Sequence, residues 1–480
     1  MHKTIIGRQQ QITELEEALH TPKPEMLAVV GRRRVGKTYL VRQVYHERID
    51  FELTGLQHAN KQEQLQNFVF TLGKYFPHFE LPDFPKSWLE AFHFLGLALE
   101  SLNKSEKLIV FLDELPWLGT KKSGFITGLG YFWNTWASKQ HIVVIICGSA
   151  ASWMIDKIIN DRGGLHNRVT RILRLYPFTL AETEAYCKSR NIKLNRFHIL
   201  QIYMTMGGIP MYLDLLKQGQ SAIQNIQNIC FAPTGYLRNE FDRLYASLFD
   251  NYQYHIAIIR ALATKWRGLT RSEIIAATAF KNGGMLSKLL EELDTSGFIT
   301  IYNGYGKKTK ASLYRLTDAY SLFYLTYIEP LGKSSFAEFT QLSDLPKWKI
   351  WSGYAFENIC LTHISQVKKG LGITGISSAI STFIARPKDG LSGTQIDLLI
   401  DRSDQSINIC EIKFSTTDYE VSKKDVESLD NKKRVFQYHT KTKKQLFITL
   451  ITTHGVIQNA NRINYIDQVI TLDDLFDANT

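Results

Sequence analysis

The chain has 480 residues, enough for about three domains, and its net charge of +11 suits a nucleic-acid partner as well as it suits an ordinary basic protein. The basic excess lies in residues 1–340, because residues 341–480 hold nearly equal numbers of basic and acidic side chains. The five cysteines lack CxxC spacing, which argues against a disulfide framework and a cysteine zinc site. No apolar run reaches roughly 18 residues, which argues against a membrane span. We expect a cytoplasmic protein.

An amphipathic segment over Gln9–Leu19 precedes the first strong motif. The apolar run Met26–Val30 predicts a buried parallel strand, and Tyr39–Tyr45 predicts a helix. Between them the phosphate-loop pattern GxxxxGK[ST] is matched by Gly31, Arg32, Arg33, Arg34, Val35, Gly36, Lys37 and Thr38. Such a loop directs backbone N–H groups at the β- and γ-phosphates of ATP; Lys37 adds a positive charge, and the Thr38 hydroxyl is a ligand for Mg²⁺. The sequence therefore predicts ATP and Mg²⁺ as cofactors.

A second buried strand, predicted over Leu108–Leu112, ends in two adjacent acids, Asp113 and Glu114. Asp113 is expected to hold Mg²⁺ through water, and Glu114 to polarise the water that attacks the γ-phosphate. One solvated acid at a strand end is common, whereas two at this place are less so. The pair therefore predicts ATP hydrolysis as well as binding.

With the Gly7-Arg8 box ahead of the loop, these motifs resemble those of the archaeal-type, AAA/STAND-like P-loop ATPases, a family that also occurs in bacteria. The resemblance covers nearly the whole chain and implies that the box packs near the adenine. An acid usually follows the box arginine in this family, whereas this chain has Gln9. The resemblance also implies a C-terminal domain of uncertain function and leaves a homo-oligomer open.

Two further site residues are assigned through this resemblance. The strand predicted over Ile142–Ile146 leads to Ser149, which takes the place of sensor 1 and would contact the γ-phosphate or the water; the alternative is that Ser149 only caps the next helix. In the following basic loop, Arg168 best matches the arginine that related ATPases direct at the γ-phosphate, in cis or from a neighbouring subunit, and Arg162 is the runner-up. A merely solvated arginine is the alternative.

Residues 180–235 read as helical and contain the turn Gly207–Leu213. The resemblance implies a small lid that closes over the nucleotide at this turn. A plain helix-breaking turn explains the same residues.

The segment 250–316 predicts a winged helix-turn-helix. Its helices are predicted over Tyr254–Lys265 and Met285–Leu293, with a capping box at Thr270–Glu273 for the helix between them. Strands are predicted over Phe298–Tyr302 and Leu313–Leu316, on either side of a wing. The wing contains Gly304, Gly306, Lys307, Lys308 and Lys310.

The third helix of this module has features for and against DNA binding. Ser287 and Lys288 are expected to face a major groove while the wing lysines meet phosphates. The same helix carries Glu291, Glu292 and Asp294, which repel phosphate. DNA and a protein partner therefore both stay open.

The last domain carries a second group of charged residues. Glu357 lies on a predicted helix, Asp397 opens a predicted strand, and Glu411 and Lys413 follow across a hairpin turn as a Glu-x-Lys motif. This pattern is the xD…ExK signature of restriction-endonuclease-like nucleases. The spacing has a physical reason, since paired strands bring such residues to one cleft. The three acids are expected to bind a second divalent metal, Mg²⁺ or Mn²⁺, and Lys413 to position the nucleophile or stabilise the transition state. A binding module without cleavage is the alternative.

The expected fold is α/β: a P-loop NTPase parallel-sheet domain over residues 1–178, a helical lid over 179–240, a winged helix-turn-helix over 241–335 and a small α/β restriction-endonuclease-like domain over 336–480. The functional hypothesis is an ATP-hydrolysing, DNA-directed protein with a metal-dependent nuclease-like domain. One alternative is an ATP-controlled signalling switch or scaffold that binds protein or DNA without cleavage. Another is a transcription regulator that hydrolyses its ATP slowly.

Overall fold

The computed structural model describes residues 5–120, 122–159, 163–306, 312–332, 339–343, 345–387 and 392–477. The chain divides into two compact units, Met1–Pro177 and Phe178–Thr480. No helix in the described ranges combines the length and the apolar character that a bilayer crossing requires.

The first unit is built on a five-stranded, fully parallel sheet. Its strands are β1 (Glu25–Val30), β2 (Phe51–Thr54), β3 (Leu108–Asp113), β4 (Ile142–Gly148) and β5 (Arg171–Arg174), in the spatial order β2-β3-β4-β1-β5. Strands β1, β3 and β4 are buried along their whole length, as expected of apolar runs covered on both faces of a parallel sheet. Because β4 lies between β1 and β3, the segments that leave these three strands meet at one edge of the sheet.

Helices of the first unit cover this sheet. They are α1 (Gln9–His20), α2 (Lys37–Tyr45), α3 (Lys61–Tyr75), α4 (Trp88–Glu100), α5 (Leu115–Leu118), α6 (Phe125–Thr135) and α7 (Ala151–Met154). The predicted strands and helices at the phosphate loop and at the paired acids are therefore confirmed. Aromatic rings fill the core between α4 and α6. The rings of Trp88 and Phe125 meet edge to face with 4.9 Å between their centroids, and those of Phe92 and Phe132 stack with 5.3 Å between theirs.

The second unit begins with helices and continues into the predicted winged helix-turn-helix. The helices are α8 (Leu180–Ser189), α9 (Arg196–Met206), α10 (Pro210–Leu213), α11 (Ala222–Ile226), α12 (Phe241–Ala246), α13 (Tyr252–Ala263), α14 (Arg271–Thr278) and α15 (Gly284–Thr295). The strands β6 (Leu269–Thr270), β7 (Ile299–Tyr302) and β8 (Leu313–Leu316) pair in the order β6-β8-β7. Thr270 and Glu273 form the predicted capping box at the start of α14.

The turn between α9 and α10 requires glycine at one position. A Cβ on Gly208 would lie 2.0 Å from the carbonyl oxygen of Phe178, which no rearrangement of a side chain can relieve. The backbone N–H of Phe178 donates to the Gly208 carbonyl oxygen at 2.7 Å. The Gly-Gly-x-Pro turn is therefore built for close backbone approach within this unit.

A separate five-stranded mixed sheet follows. Its strands are β9 (Ser378–Ala385), β10 (Thr394–Arg402), β11 (Ser406–Lys413), β12 (Gln445–Thr452) and β13 (Gln468–Ile470), in the order β13-β12-β11-β10-β9. Strands β9, β10 and β11 are antiparallel neighbours, and β12 and β13 continue the sheet in parallel. The remaining helices are α16 (Ala319–Phe323), α17 (Phe339–Ser343), α18 (Pro346–Thr362), α19 (Ile364–Gly370), α20 (Lys423–Thr440), α21 (Ala460–Tyr465) and α22 (Leu472–Leu475).

The winged module is joined to this sheet by backbone pairing. Gly304, at the start of the wing, forms a bridge to Thr382 of β9, and the Tyr305 N–H donates to the Thr382 carbonyl oxygen at 2.8 Å. The Tyr305 ring packs edge to face on Phe436 of α20 at 5.0 Å. The base of the wing is thus engaged by the last sheet, while Lys307, Lys308 and Lys310 lie outside the described residues.

A buried histidine holds the start of α8. The Leu180 N–H, one of the donors that a helix leaves unpaired at its N-terminus, donates to Nε2 of His363 at 3.1 Å. Nδ1 of His363 lies 2.9 Å from the carbonyl oxygen of Ile359, and the ring is buried. Burial lowers the pKa of His363 to about 4, so the neutral ring that accepts from Leu180 is the form present at neutral pH.

We expect this histidine to make the second unit lose stability in mild acid. The pKa in the folded state lies below the ordinary value of about 6.5, so the unfolded chain binds the extra proton first and stability is lost as the pH falls from about 6.5 towards 4. Urea unfolding of the full chain should show a loss of about 2 kcal/mol from this group between pH 7 and pH 5. His363→Gln should remove that part of the pH dependence, whereas His439→Gln, at an exposed position, should retain it. Equal pH dependence in both variants would contradict the assignment.

Candidate functional site

The phosphate loop connects β1 to α2 and has one position that only glycine can fill. A Cβ on Gly31 would lie 2.3 Å from the carbonyl oxygen of Leu175, so the loop can leave β1 beside the end of β5 only with glycine there. Gly36 precedes α2 with a φ of 90°, again a conformation that favours glycine. Both glycines of the motif pattern thus have a geometric reason in this fold, and the N-terminus of α2 opens onto the loop.

The ammonium of Lys37 donates to two carbonyl oxygens of this loop and to one side chain outside it. Its ammonium donates to the carbonyl oxygens of Gly31 at 2.9 Å and Arg32 at 3.0 Å, and to Oγ of Ser149 at 3.2 Å. An ammonium has three donors, so the loop and the end of β4 together satisfy it. A phosphate that contacts Lys37 must therefore displace one of these partners.

Thr38 and Asp113 meet across the sheet edge. The Thr38 hydroxyl donates to Oδ2 of Asp113 at 2.7 Å, and Oδ1 of Asp113 accepts from the backbone N–H of Glu114 at 2.9 Å. A hydroxyl and a carboxylate oxygen at this spacing are hard oxygen ligands of the kind that Mg²⁺ prefers. The two residues therefore fit a magnesium ion beside the phosphate loop.

Glu114 and Ser149 are also brought together. Ser149 donates from its hydroxyl to Oε1 of Glu114 at 2.7 Å, and its backbone N–H donates to Oε2 at 3.3 Å. Glu114 has a φ of 51°, in the left-handed region that is uncommon for residues other than glycine. With the bond from Lys37, Ser149 links the lysine of the loop to the second acid. The side chain is therefore engaged at the site, and capping of the next helix is not needed to explain it.

The box arginine fixes the loop from outside. Arg8 is buried, and its Nη2 donates to the carbonyl oxygens of Tyr176 at 2.5 Å and Val35 at 3.4 Å. The residue itself has a φ of 63° and precedes α1. Arg8 thus joins the start of the chain to the middle of the phosphate loop and to the segment after β5.

The other arginines have different surroundings. Within the loop, Arg32 and Val35 are buried, while Arg33 and Arg34 are half-buried. Arg168 is exposed, and its side chain makes no hydrogen bond or ion pair with any other described residue of the chain. The runner-up, Arg162, lies outside the described residues. Among the described residues Arg168 therefore makes no bond with the phosphate loop, and its role toward the γ-phosphate stays a prediction.

The second candidate site lies on the β10–β11 hairpin. Leu398 pairs with Cys410 in the antiparallel register, so Asp397, which precedes Leu398, and Glu411, which follows Cys410, lie at the same end of the two strands. Lys413 lies further along β11, on the same face as Glu411, and its Nζ is 2.9 Å from Oε1 of Glu411. The hairpin thus brings the xD…ExK residues together.

Each acid of this cleft has a partner from the protein. Glu411 accepts from Lys432 of α20 at 2.5 Å in addition to Lys413. Burial raises the pKa of Glu411, but the charges of Lys432 and Lys413 outweigh burial and hold this pKa below its ordinary value. Asp397 accepts at Oδ1 from Nε2 of Gln395 at 2.5 Å. These carboxylates are therefore already neutralised or hydrogen-bonded.

Glu357 is the deepest of the three acids, and its partner comes from the winged module. Nη1 of Arg315, on β8, donates to Oε1 of Glu357 at 2.6 Å, and both side chains are buried. Burial raises the pKa of Glu357, the Arg315 charge opposes this and the Asp397 charge adds to it. For Lys413, burial lowers the pKa, but the charges of Glu411, Asp425 and Asp397 raise it above its ordinary value. The charge of Asp397 therefore raises the pKa of both Glu357 and Lys413.

The predicted metal set does not form a ready metal centre. Within the described ranges, no group of three or more His, Cys, Asp or Glu side chains is arranged to hold a metal ion. The physical reason is that Arg315 occupies Glu357, and Lys413 and Lys432 occupy Glu411. In this arrangement the residues do not fit a second divalent metal.

The residues of α15 that the sequence predicts to face a partner are exposed. Ser287 and Lys288 are exposed, and so are Glu291 and Asp294. Oγ of Ser287 accepts from Arg271 at 3.0 Å. Charges of both signs therefore lie on this helix, and its partner stays a prediction.

Sequence reasoning missed the residues that neutralise the cleft. Arg315 stands in a short strand and Lys432 in an amphipathic helix, and neither belongs to a local motif. A buried acid does imply a nearby cation, because an isolated charge in the interior is costly. That rule calls for a counter-charge without saying which residue supplies it.

Comparison with known proteins identifies the first part of the chain. Residues 5–216 match the model of a family described as an ATPase domain predominantly from Archaea. Over 451 residues, 92% of each chain, the protein is 23% identical to an uncharacterised protein of Methanocaldococcus jannaschii. Among solved structures, the Walker-type ATPase of Pyrococcus abyssi is similar with 20% identity and a TM-score of 0.49, over 67% of this chain and 96% of that chain. The ORC2 protein of Aeropyrum pernix is similar with 13% identity and a TM-score of 0.40, over 67% and 93% of the two chains.

We expect Arg8 to be needed for a well-ordered phosphate loop. Arg8→Ala removes the charged donor from the carbonyl oxygens of Tyr176 and Val35. A hydrogen bond to a charged group contributes about 1.5–3 kcal/mol, so ATP affinity should fall roughly tenfold or more. Calorimetric titration with ATP measures the change. Gln9→Ala, at the exposed neighbouring position, is the matched control and should leave the affinity unaltered. An unchanged affinity in Arg8→Ala would show that the loop is ordered without this contact.

Proposed function

We propose that this chain, whose first part is an archaeal-type P-loop ATPase domain, binds ATP with Mg²⁺ and hydrolyses it at the edge of the parallel sheet. The observation that carries the proposal is the continuous set of contacts Lys37–Ser149–Glu114, beside the Thr38–Asp113 pair. Each of these side chains has the chemistry that phosphoryl transfer requires, and they meet at one place.

Binding comes first in this mechanism. The N–H groups of the loop and of the first turn of α2 supply donors for the β- and γ-phosphates. Lys37 exchanges a carbonyl or hydroxyl partner for a phosphate oxygen and places a full positive charge beside the transferring group. Thr38 and Asp113 would hold Mg²⁺, which neutralises negative charge on the phosphates when bound.

Hydrolysis requires a base for the attacking water. Glu114 follows β3 directly and is the acid left for this role, since Asp113 is engaged by Thr38 and by the Glu114 N–H. Ser149 orients Glu114 through its hydroxyl and its backbone N–H, and it also contacts Lys37. A phosphate that draws Lys37 away from Ser149 therefore alters the hydrogen bonding of Glu114 as well. We propose that this linkage couples ATP binding to the orientation of the base.

Replacing Glu114 by glutamine should separate binding from turnover. Glu114→Gln keeps the size and the hydrogen bond with Ser149 but cannot accept the proton of water, so kcat should fall about 10²–10⁴-fold while ATP affinity changes little. Release of inorganic phosphate measures kcat, and titration with ATP measures affinity. Glu106→Gln, an exposed acid ahead of β3, should behave like the unaltered protein. Normal turnover in Glu114→Gln would remove the base from the proposal.

A second candidate activity is nucleic-acid cleavage by the last domain. It is supported by the hairpin that brings Asp397, Glu411 and Lys413 together, by the basic excess of residues 1–340 and by the winged helix-turn-helix between the two ends. In this proposal ATP turnover controls access of DNA to the cleft. The rival is a switch or scaffold in which the winged module binds protein and the cleft is a recognition surface; the closed state of the cleft in this arrangement is compatible with both.

Cleavage of plasmid and single-stranded DNA, with and without ATP, distinguishes these two functions. If the last domain is a nuclease, nicking should require Mg²⁺ or Mn²⁺ and should fall at least about 100-fold in Glu411→Ala. Glu427→Ala, an exposed acid on α20, should cut as the unaltered protein does. If the protein hydrolyses ATP but cuts no nucleic acid under any of these conditions, the switch or scaffold becomes the better description.

A further inference from the structure

The backbone at Glu114 has an uncommon conformation where the chain passes from β3 into α5. Its φ is 51° and its ψ is 48°, in the left-handed region that residues other than glycine seldom adopt. Such a conformation costs free energy and persists only where the surrounding structure enforces it. The bonds with Ser149 fix the carboxylate, but the direction in which the side chain leaves the backbone depends on how α5 is held.

A buried glutamine of α3, Gln64, binds the end of α5. Its Nε2 donates to the carbonyl oxygens of Leu56 at 2.7 Å and Trp117 at 3.1 Å, and its Oε1 accepts from the Leu56 N–H at 3.1 Å. The amide thus uses both of its donors and its oxygen, and the residue is 2% exposed. One buried amide therefore joins α3 to the segment after β2 and to α5.

Close packing against both neighbours of β3 encloses the start of α5. After β2, the Gly55 N–H donates to the Asp113 carbonyl oxygen at 3.0 Å, and a Cβ on Gly55 would lie 2.8 Å from the carbonyl oxygen of Glu114. At the end of β4, a Cβ on Gly148 would lie 2.8 Å from Cδ of Pro116. Neither position has room for a Cβ, so the segment that begins at Glu114 is held closely from two sides.

A second amide of α3 offers a comparison with Gln64. Nδ2 of Asn67 donates to the Thr54 carbonyl oxygen at 2.9 Å, so Asn67 also ties α3 to the end of β2. That bond ends at β2, whereas the bonds of Gln64 continue to Trp117 of α5. The two side chains therefore serve the same junction, and the bond to α5 distinguishes them.

We propose that Gln64 is a positioning residue for ATP hydrolysis: it holds α5, and α5 holds the backbone of Glu114 so that the carboxylate faces the attacking water. This inference rests on the proposed function, in which Glu114 polarises that water. The hydrogen bonds described above join Gln64 to Leu56 and Trp117, not to the phosphate loop, so its contribution belongs to the chemical step. A small displacement of a catalytic group from its productive geometry lowers the rate strongly.

The test compares kcat and ATP affinity in the full chain. Gln64→Met keeps an unbranched side chain of similar length without the amide, and kcat should fall about 10–100-fold because Glu114 is no longer held in place. ATP affinity should stay within about a factor of two, which also shows that the nucleotide site is folded. Asn67→Ala, which removes the other amide of this junction, should retain a nearly normal kcat. Release of inorganic phosphate and calorimetric titration with ATP measure the two quantities.

Combining the substitution with Glu114→Gln separates positioning from a merely structural role. If Gln64 acts through Glu114, Gln64→Met should lower kcat by less than about threefold once the base is gone. A purely structural contribution would lower kcat by the same factor in both backgrounds. Gln64→Asn has an amide that is one methylene shorter and cannot keep all three bonds. It should lower kcat in the same direction by a smaller factor, and it serves if Gln64→Met fails to fold.

The outcomes distinguish this inference from the proposed function. A lowered kcat with unaltered ATP affinity, an effect that disappears once Glu114 is replaced, supports the positioning role. Slow turnover in Glu114→Gln, together with a normal kcat in Gln64→Met or with equal factors in both backgrounds, overturns the positioning role and leaves the base intact. An equal loss of kcat in Asn67→Ala, or a fall in ATP affinity as large as the fall in kcat, overturns it as well. Normal turnover in Glu114→Gln rejects the base and the positioning role together.

Discussion

The position of β4 between β1 and β3 is the constraint on which the nucleotide site depends. Parallel strands end at a common edge, so the loop after β1, the acids after β3 and the serine after β4 must lie side by side. With β4 in the centre, Ser149 is the one residue of this set that can touch Lys37 on one side and Glu114 on the other. The binding and hydrolytic groups are therefore connected through the middle strand. Backbone packing supports the same edge, since Gly31 leaves room for Leu175 and Arg8 ties the loop to Tyr176.

Counter-charges organise the second unit in a comparable way. A carboxylate in a region of low dielectric constant must find a cation or several donors, and Glu357, Asp397 and Glu411 each do so. The donors come from four elements: β8, the start of β10, the end of β11 and α20. Satisfying these acids consequently ties the winged module to the last sheet, in addition to the bridge from Gly304 to Thr382. The pair that neutralises Glu357 thus also holds the winged module against the last domain.

Much of the fold could be predicted from local pattern. The continuous apolar runs of β1, β3 and β4, the glycines of the loop and the capping box at Thr270 each carry their structural meaning within a few residues. The sequence interpretation was less successful where residues act at a distance. Glu357 is predicted as a metal ligand because its helix precedes the hairpin, yet it is paired with Arg315. Arg168 is exposed, and its contact with the γ-phosphate stays a prediction. The base of the wing pairs with β9, whereas the wing lysines lie outside the described residues and their contact with phosphates stays a prediction.

The amino-acid sequence by itself determined the phosphate loop, the paired acids at the end of β3, the winged helix-turn-helix and the hairpin that carries Asp397 and Glu411. It could do so because each of these depends on spacing, periodicity or backbone freedom within a short segment. Only the tertiary structure decided that Ser149 joins Lys37 to Glu114, that Arg8 holds the loop, and that Arg315 and Lys432 neutralise the acidic cleft. A buried charge requires a partner but accepts one from any element that packs against it, so the identity of that partner is set by the way distant segments come together.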